Sequence, residues 1–215
     1  MAIKASATNS MATPQWRRIE PLELTPILEA ALEGFYENGF HGTPVREIAR
    51  RVGVTIPSLY YHHQSKEGIL LALLEVSTSD VLARAHTAFA AGGVDPRRQL
   101  TNVIEAIVLR MTTRSRLAAL EGEVRYLGEE NRQRYRVVRK GIEDLVLGIV
   151  SEGVEQGLFS VSDIAETTRA LLAMCQSIPR WYHAEGKLSP EDVAGKYAEI
   201  ALNTVGCTPR RKRTC

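Results

Sequence analysis

Apolar residues recur at three- and four-residue spacing along almost the whole chain, and that period predicts helices. Leu24, Ile27, Leu28, Ala31, Leu32 and Phe35 share one side of a first helix, opened by Pro21 and stopped after Asn38 by Gly39. Val45, Ile48, Ala49 and Val52 stripe a short second helix, with Thr43 as cap, Pro44 at its first position and Gly53 as its left-handed stop. A third, about two turns long, starts near Thr55, carries Pro57 in its first turn and turns Leu59 inward. Ser65 caps a helix reaching about Ala91, roughly 37 Å long at 1.5 Å per residue. Such a helix can begin in one domain and end deep in another. Further helices are predicted over 95–112, 115–127, 129–157, 162–184 (kinked or ended by Pro179) and from Ser189 to Val205. In the last, Ser189-Pro190-Glu191-Asp192 combines a cap, a proline at the first position and two acids in the positive first turn. No stretch reads as a strand. The expectation is an all-α chain of about nine helices: a three-helix domain over 16–67 and a larger helical domain over 68–207. Residues 1–15 and the basic 208–215 are expected to be disordered.

Composition narrows the picture mainly by exclusion. Of 215 residues, 44% are hydrophobic, enough for an ordinary core, and aromatic residues are few. The net charge is +2, yet Arg210-Arg211-Lys212-Arg213 alone supply more than that. Basic and acidic side chains balance over residues 1–70, so bulk charge is no argument for nucleic acid, and affinity would have to come from placement and dimerisation. Cys175, Cys207 and Cys215 lack metal-ligand spacing and suit a reducing cytoplasm. No signal peptide and no membrane-spanning stretch is read, so a cytoplasmic location and no membrane partner are expected. Met11 is an alternative to Met1 as the start. No nucleophile–base constellation, phosphate loop or metal spacing is present, so no enzyme, cofactor or metal is expected.

Two short helices joined at Gly53 describe a helix-turn-helix that fits a major groove. Residues 43–67, read as T-x-V-R-E-I-A-x-x-V-G-V-T-x-x-S-L-Y-Y-H-x-x-S-K-E, resemble the DNA-binding motif of the TetR family of transcriptional repressors. His63 departs from the pattern, standing where the family usually has Phe, and a partly buried packing role is expected for it. The resemblance implies the two-domain helical architecture and a homodimer on a palindromic operator in double-stranded DNA. It also implies release by a small-molecule effector held in the larger domain.

On that mapping, Thr55 caps the reading helix, and Ile56, Pro57, Ser58 and Tyr60 face bases. Thr43, Tyr61, His62 and Lys66 would hold phosphates and set the register. Helix packing is the alternative for each. No Arg, Asn or Gln lies between Thr55 and His62, so thymine-methyl contacts and DNA shape are the expected source of specificity. Trp16-Arg17-Arg18 reads either as a minor-groove arm or as a lead-in with Trp16 packed on the domain. Leu171, Cys175, Ile178, Trp181, Tyr197 and Ile200 are the candidates for a four-helix dimer interface, with internal core as the alternative. Met111, Tyr126, Met174 and Trp181 are candidates to line the effector pocket, with Arg110, Arg114 or Arg125 at its rim. One or two arginines of the charged stretch 132–140 could also reach a pocket mouth. The segment Arg180-Trp181-Tyr182 with Gly186 and Leu188-Ser189 resembles actinobacterial TetR-type regulators of lipid and sterol breakdown. Those answer to CoA thioesters, which implies an apolar, acyl or acyl-CoA effector. A DNA-binding regulator with a ligand-independent C-terminal domain is the alternative.

Overall fold

The computed structural model describes residues 13–18 and 20–207. The expectations for residues 1–12 and 208–215, including the second start and the basic tail, lie outside the described residues; Gln15, the last residue of the expected disordered leader 1–15, instead opens a 3₁₀ turn. Within them the chain is all-α with no strand: α1 (Pro26–Gly42), α2 (Val45–Val52), α3 (Ile56–His62), α4 (Lys66–Ala91), α5 (Pro96–Thr113), α6 (Ser115–Ala119), α7 (Glu129–Glu155), α8 (Ile164–Gln176) and α9 (Pro190–Thr204). Short 3₁₀ turns lie at Gln15–Arg17, Leu120–Tyr126 and Ile178–Arg180.

Several starts and stops follow the side-chain chemistry expected of them. Ser65 accepts from the Gly68 N–H at 2.9 Å to open α4, and Ser189 and Asp192 form a reciprocal capping box on α9. Gly53 is left-handed (φ 74°) at the end of α2, and the Val54 N–H reaches back to the Ala49 carbonyl. α8 ends at Gln176, ahead of Pro179, whose nitrogen carries no hydrogen to continue the helical ladder, and a 3₁₀ turn over Ile178–Arg180 follows.

Three boundaries differ from expectation. The first helix starts at Pro26 and not Pro21, because the Thr25 hydroxyl is the one that accepts from a first-turn N–H, that of Leu28. Thr43 does not cap α2. It is fully buried and its hydroxyl donates to the Gly39 carbonyl at 3.0 Å, closing the turn that Gly39 (φ 71°) opens near the end of α1. The expected helix over 115–127 is only five residues of α-helix followed by a 3₁₀ turn.

Two cores run through the molecule, and α4 belongs to both. Its first half contributes Ile69, Leu70, Leu73 and Leu74 to a core shared with Leu28, Phe35, Ile48 and Leu59 of the helix-turn-helix. Its second half contributes Val81, Ala85 and Ala88 to the larger core around α5, whose main partners are α9, α4 and α7. Leu117, Leu120, Leu127 and Tyr135 join the smaller core from downstream, whereas Trp16 joins the larger one. Packing thus divides the chain differently from 16–67 and 68–207. Trp16 is not an arm: it is 4% exposed, and the neighbouring Arg17 pairs with Glu105 on α5.

Candidate DNA-reading surface and effector cavity

The reading helix α3 has one inward residue, Leu59, buried completely. Thr55 accepts from the Ser58 N–H at 3.2 Å and fixes the start of the helix. Ile56, Pro57, Ser58, Tyr60, Tyr61 and His62 all lie on the solvent side, Tyr61 being 87% exposed. An apolar and aromatic surface of this kind, with neighbouring helix N-termini, offers methyl contacts and phosphate donors without guanidinium readout. Two expected contacts sit differently. Thr43 is core and offers nothing to phosphate. Lys66 is half-buried, with Nζ 4.5 Å from the centre of the Phe40 ring, and partial burial lowers its pKa. His63 is half-buried at the end of α3, as expected, and burial first, then His62, hold its pKa below the ordinary value.

Behind this surface the segment from α6 to α7 grips the helix-turn-helix. Glu123 accepts from the Phe40 N–H at 3.1 Å, and Tyr126 stacks on Phe40 at 5.5 Å between ring centres. At the base of α4, Glu67 accepts from the Gly128 N–H at 2.7 Å and from Asn131 at 2.6 Å, so it serves the first turn of α7.

A cavity of about 260 Å³ lies in the larger domain. Val81, Ile107, Met111, Ala118, Ile142 and Leu172 make its apolar wall; Ser77, Thr78, Glu121, Arg139, Glu143, Arg169 and Gln176 supply polar groups. Arg139 donates to Gln176 at 2.8 Å, and Arg169 pairs with Glu166. Tyr135 donates to Glu121 at 3.1 Å, and burial and that carboxylate push the phenol well above its ordinary pKa. A concave site with an apolar wall and a polar side of two arginines and two glutamates is suited to an aliphatic or acyl group whose polar end meets the arginines.

Of the residues expected at a pocket, only Met111 lines this one. Arg110 and Arg114 turn instead toward Asp80. Arg125 is exposed over the Tyr126 ring, and Tyr126 itself is held against Phe40. Met174 packs on the larger core, and Trp181, 41% exposed, stacks on Tyr197. Arg139 belongs to the charged run from which an arginine could reach a pocket mouth. Arg169 carried no such signal, since its neighbours in sequence read as a plain amphipathic face.

The dimer candidates divide into two groups. Leu171, Cys175 and Ile178 are fully buried within the chain and cannot meet a partner; burial also pushes the Cys175 thiol up to about 12, leaving it inert. The inward stripe of α8 is spent on the chain's own core. Trp181, Tyr197 and Ile200 form an outward aromatic and aliphatic patch, with Ile200 46% exposed.

Comparison with known proteins agrees with both halves. Residues 27–73 match the bacterial regulatory proteins of the tetR family, and residues 93–205 match the tetracyclin repressor-like C-terminal domain. The HTH-type transcriptional repressor KstR2 of Rhodococcus jostii is 30% identical over 185 residues, which cover 83% of this chain and 89% of that protein. The TetR family transcriptional regulator PfmR from Thermus thermophilus has 30% identity and a TM-score of 0.75, over 82% of this chain and 97% of its own. AibR, solved in complex with isovaleryl coenzyme A and operator DNA, has 25% identity and a TM-score of 0.72, over 85% of this chain and 97% of its own.

Proposed function

The chain belongs to the TetR family of bacterial transcriptional regulators, and from that premise we propose that it is a dimeric repressor released from its operator by an acyl-type effector. One observation carries the reading: a single short segment, α6 and the 3₁₀ turn after it, serves both the cavity and the DNA-binding domain. Ala118 and Glu121 line the cavity, while Leu117 and Leu120 are buried in the helix-turn-helix core. Filling the cavity therefore displaces a wall that is also a support of the reading helices.

Thr55, Ile56, Pro57, Ser58, Tyr60, Tyr61 and His62 meet the DNA, and Lys66 joins them once it leaves Phe40. Trp181, Tyr197 and Ile200 anchor the interface between copies. Two reading helices, placed about one DNA turn apart (roughly 34–36 Å), then address a palindrome. The cavity is smaller than the roughly 300–1,000 Å³ of most ligand sites, so it takes an acyl chain while a larger polar head stays outside, beside Arg139 and Arg169. The isovaleryl coenzyme A bound by AibR supports an effector of that class.

A mobility-shift assay on DNA upstream of the protein's own gene, with and without short- and medium-chain acyl-CoAs, tests the proposal. The expected result is a specific complex whose affinity falls about 10²-fold with the right effector, a coupling of about 2.7 kcal/mol. A complex indifferent to every acyl-CoA would refute ligand release.

A further inference from the structure

While α4 turns Ser77, Thr78 and Val81 to the cavity, it turns Asp80 and Arg84 to the N-terminal segment. There three arginines surround one carboxylate. Arg84 Nε lies 3.5 Å and Arg114 Nε 3.9 Å from Asp80, and Arg110 touches it more closely. Arg110 is 4% exposed. The nearest other acid, Glu20, sits at the rim, 3.9 Å from Arg84 and mostly in solvent.

Described residues ahead of α1 lie over this cluster. Arg84 donates to the Arg18 carbonyl at 2.5 Å and Arg114 donates to the Glu20 carbonyl. Those carbonyls satisfy donors but bring no negative charge. Among the described residues the Nε groups of Arg84, Arg110 and Arg114, both Nη groups of Arg110 and the indole N–H of Trp16 make no hydrogen bond; Asp80 gives the arginines charge pairing without hydrogen-bond geometry. The cations also work against one another: burial and Arg114 bring Arg110 down to about 10, and burial and Arg84 lower Arg114. An uncompensated charge is costly to bury and is kept where something else completes it.

We propose that Arg84, Arg110 and Arg114 form a binding site for a doubly charged phosphate group, closed in the free protein by the segment around Trp16, Arg18 and Glu20. Once Glu20 leaves with its segment, three guanidinium groups against the half-buried Asp80 carboxylate leave two positive charges, which a phosphate dianion matches and a monocarboxylate does not. Guanidinium forks pair with phosphate oxygens two at a time. Entry is through a cavity of about 190 Å³ beside Arg84, lined also by Gln15, Trp16, Asp80 and Thr87. The phosphate oxygens take over the donors now held by the Arg18 and Glu20 carbonyls. The segment then lifts, and Trp16 leaves the core. This site shares no lining residue with the acyl cavity and does not depend on what fills it.

The two tryptophans make the test direct. In the full chain carrying Trp181→Phe, Trp16 fluorescence is followed while inorganic phosphate, or a phosphate monoester such as glycerol phosphate, is titrated against chloride at matched ionic strength. The expected result is a saturable red shift with at least one of the two. A response to both marks free phosphate as sufficient; a response to the monoester alone marks a larger phosphorylated ligand. Arg84→Gln, at the edge of the cluster, should weaken half-saturation by about tenfold or more. Arg114→Gln replaces it if Arg84→Gln melts below the assay temperature. No saturable shift with either ligand, or an unchanged midpoint in a folded Arg84→Gln or Arg114→Gln protein, overturns the proposal. The cluster would then be only a clamp for the N-terminal segment.

Discussion

Gly34 and Thr43 meet where α1 passes under the start of α2. A Cβ on Gly34 would lie 2.6 Å from Thr43 Cγ2, inside a site where Thr43 is completely buried. Gly34→Ala gains helix propensity but forces the turn apart, so a net loss of about 1–3 kcal/mol is expected in urea unfolding. His63 is a milder case. Its pKa in the folded chain is lowered from 6.5, so below that pH the unfolded chain takes the proton first. Stability is therefore lost as pH falls from about 6.5 through the folded value. His63→Phe should flatten that acid-side loss, and comparing urea midpoints at pH 7.5 and 5.5 for the two proteins measures it. The sequence distinguished these residues unequally. The outward side of α3 was legible because Leu59 alone fits an inward stripe in seven residues. Thr43 misled because Thr-Pro before an apolar run looks like a cap, and nothing local reveals that Gly34 makes room for it.

Among the elements, α4 and the segment following α5 carry the design. The length of α4 and its cap at Ser65 could be read from the period and from one serine, since a helix of 26 residues leaves a long unbroken stripe. The segment 115–127 read as one helix because Leu117, Leu120, Val124 and Leu127 keep helical spacing, yet a 3₁₀ turn eclipses every third residue and satisfies the same pattern. Its marginal helicity suits a wall that moves. Met111→Trp places a larger ring in the cavity against that wall. We expect it to abolish thermal stabilisation by acyl ligands while operator affinity stays within about threefold, or falls toward that of the released state if the ring itself acts as the effector. Melting curves and mobility shifts on the same preparation separate the two. Among the cavity residues only Met111, and Arg139 as one of a charged run, were legible, because the pocket is assembled from α4, α5, α6, α7 and α8, and no single stripe announces such a meeting.

For the whole molecule, near-neutral charge makes the dimer essential to the proposed function. One reading surface without an arginine fork binds weakly, and two held at a fixed spacing bind as one. Ile200→Asp puts a charge into the exposed patch without touching the chain's own core, Ile200 being 46% exposed. Sedimentation should show a monomer whose melting behaviour reflects only lost association, and operator binding should weaken by about 10² or more. A dimer of undiminished affinity would move the interface elsewhere. Half of the expected interface was unreadable in principle: an apolar stripe on α8 looks the same whether it faces a partner or α5.

The DNA-binding core closes only when Leu117, Leu120, Leu127 and Tyr135 are added to the residues up to Leu74. Its boundary is not a point on the gene. A single crossover after α3, or even within α4, would give a recombinant whose reading domain lacks its floor. Exchange of operator specificity between relatives must therefore transfer two separated pieces together or change only the outward residues of α3. Inheritance by point substitution on that one short helix is the route this architecture leaves open.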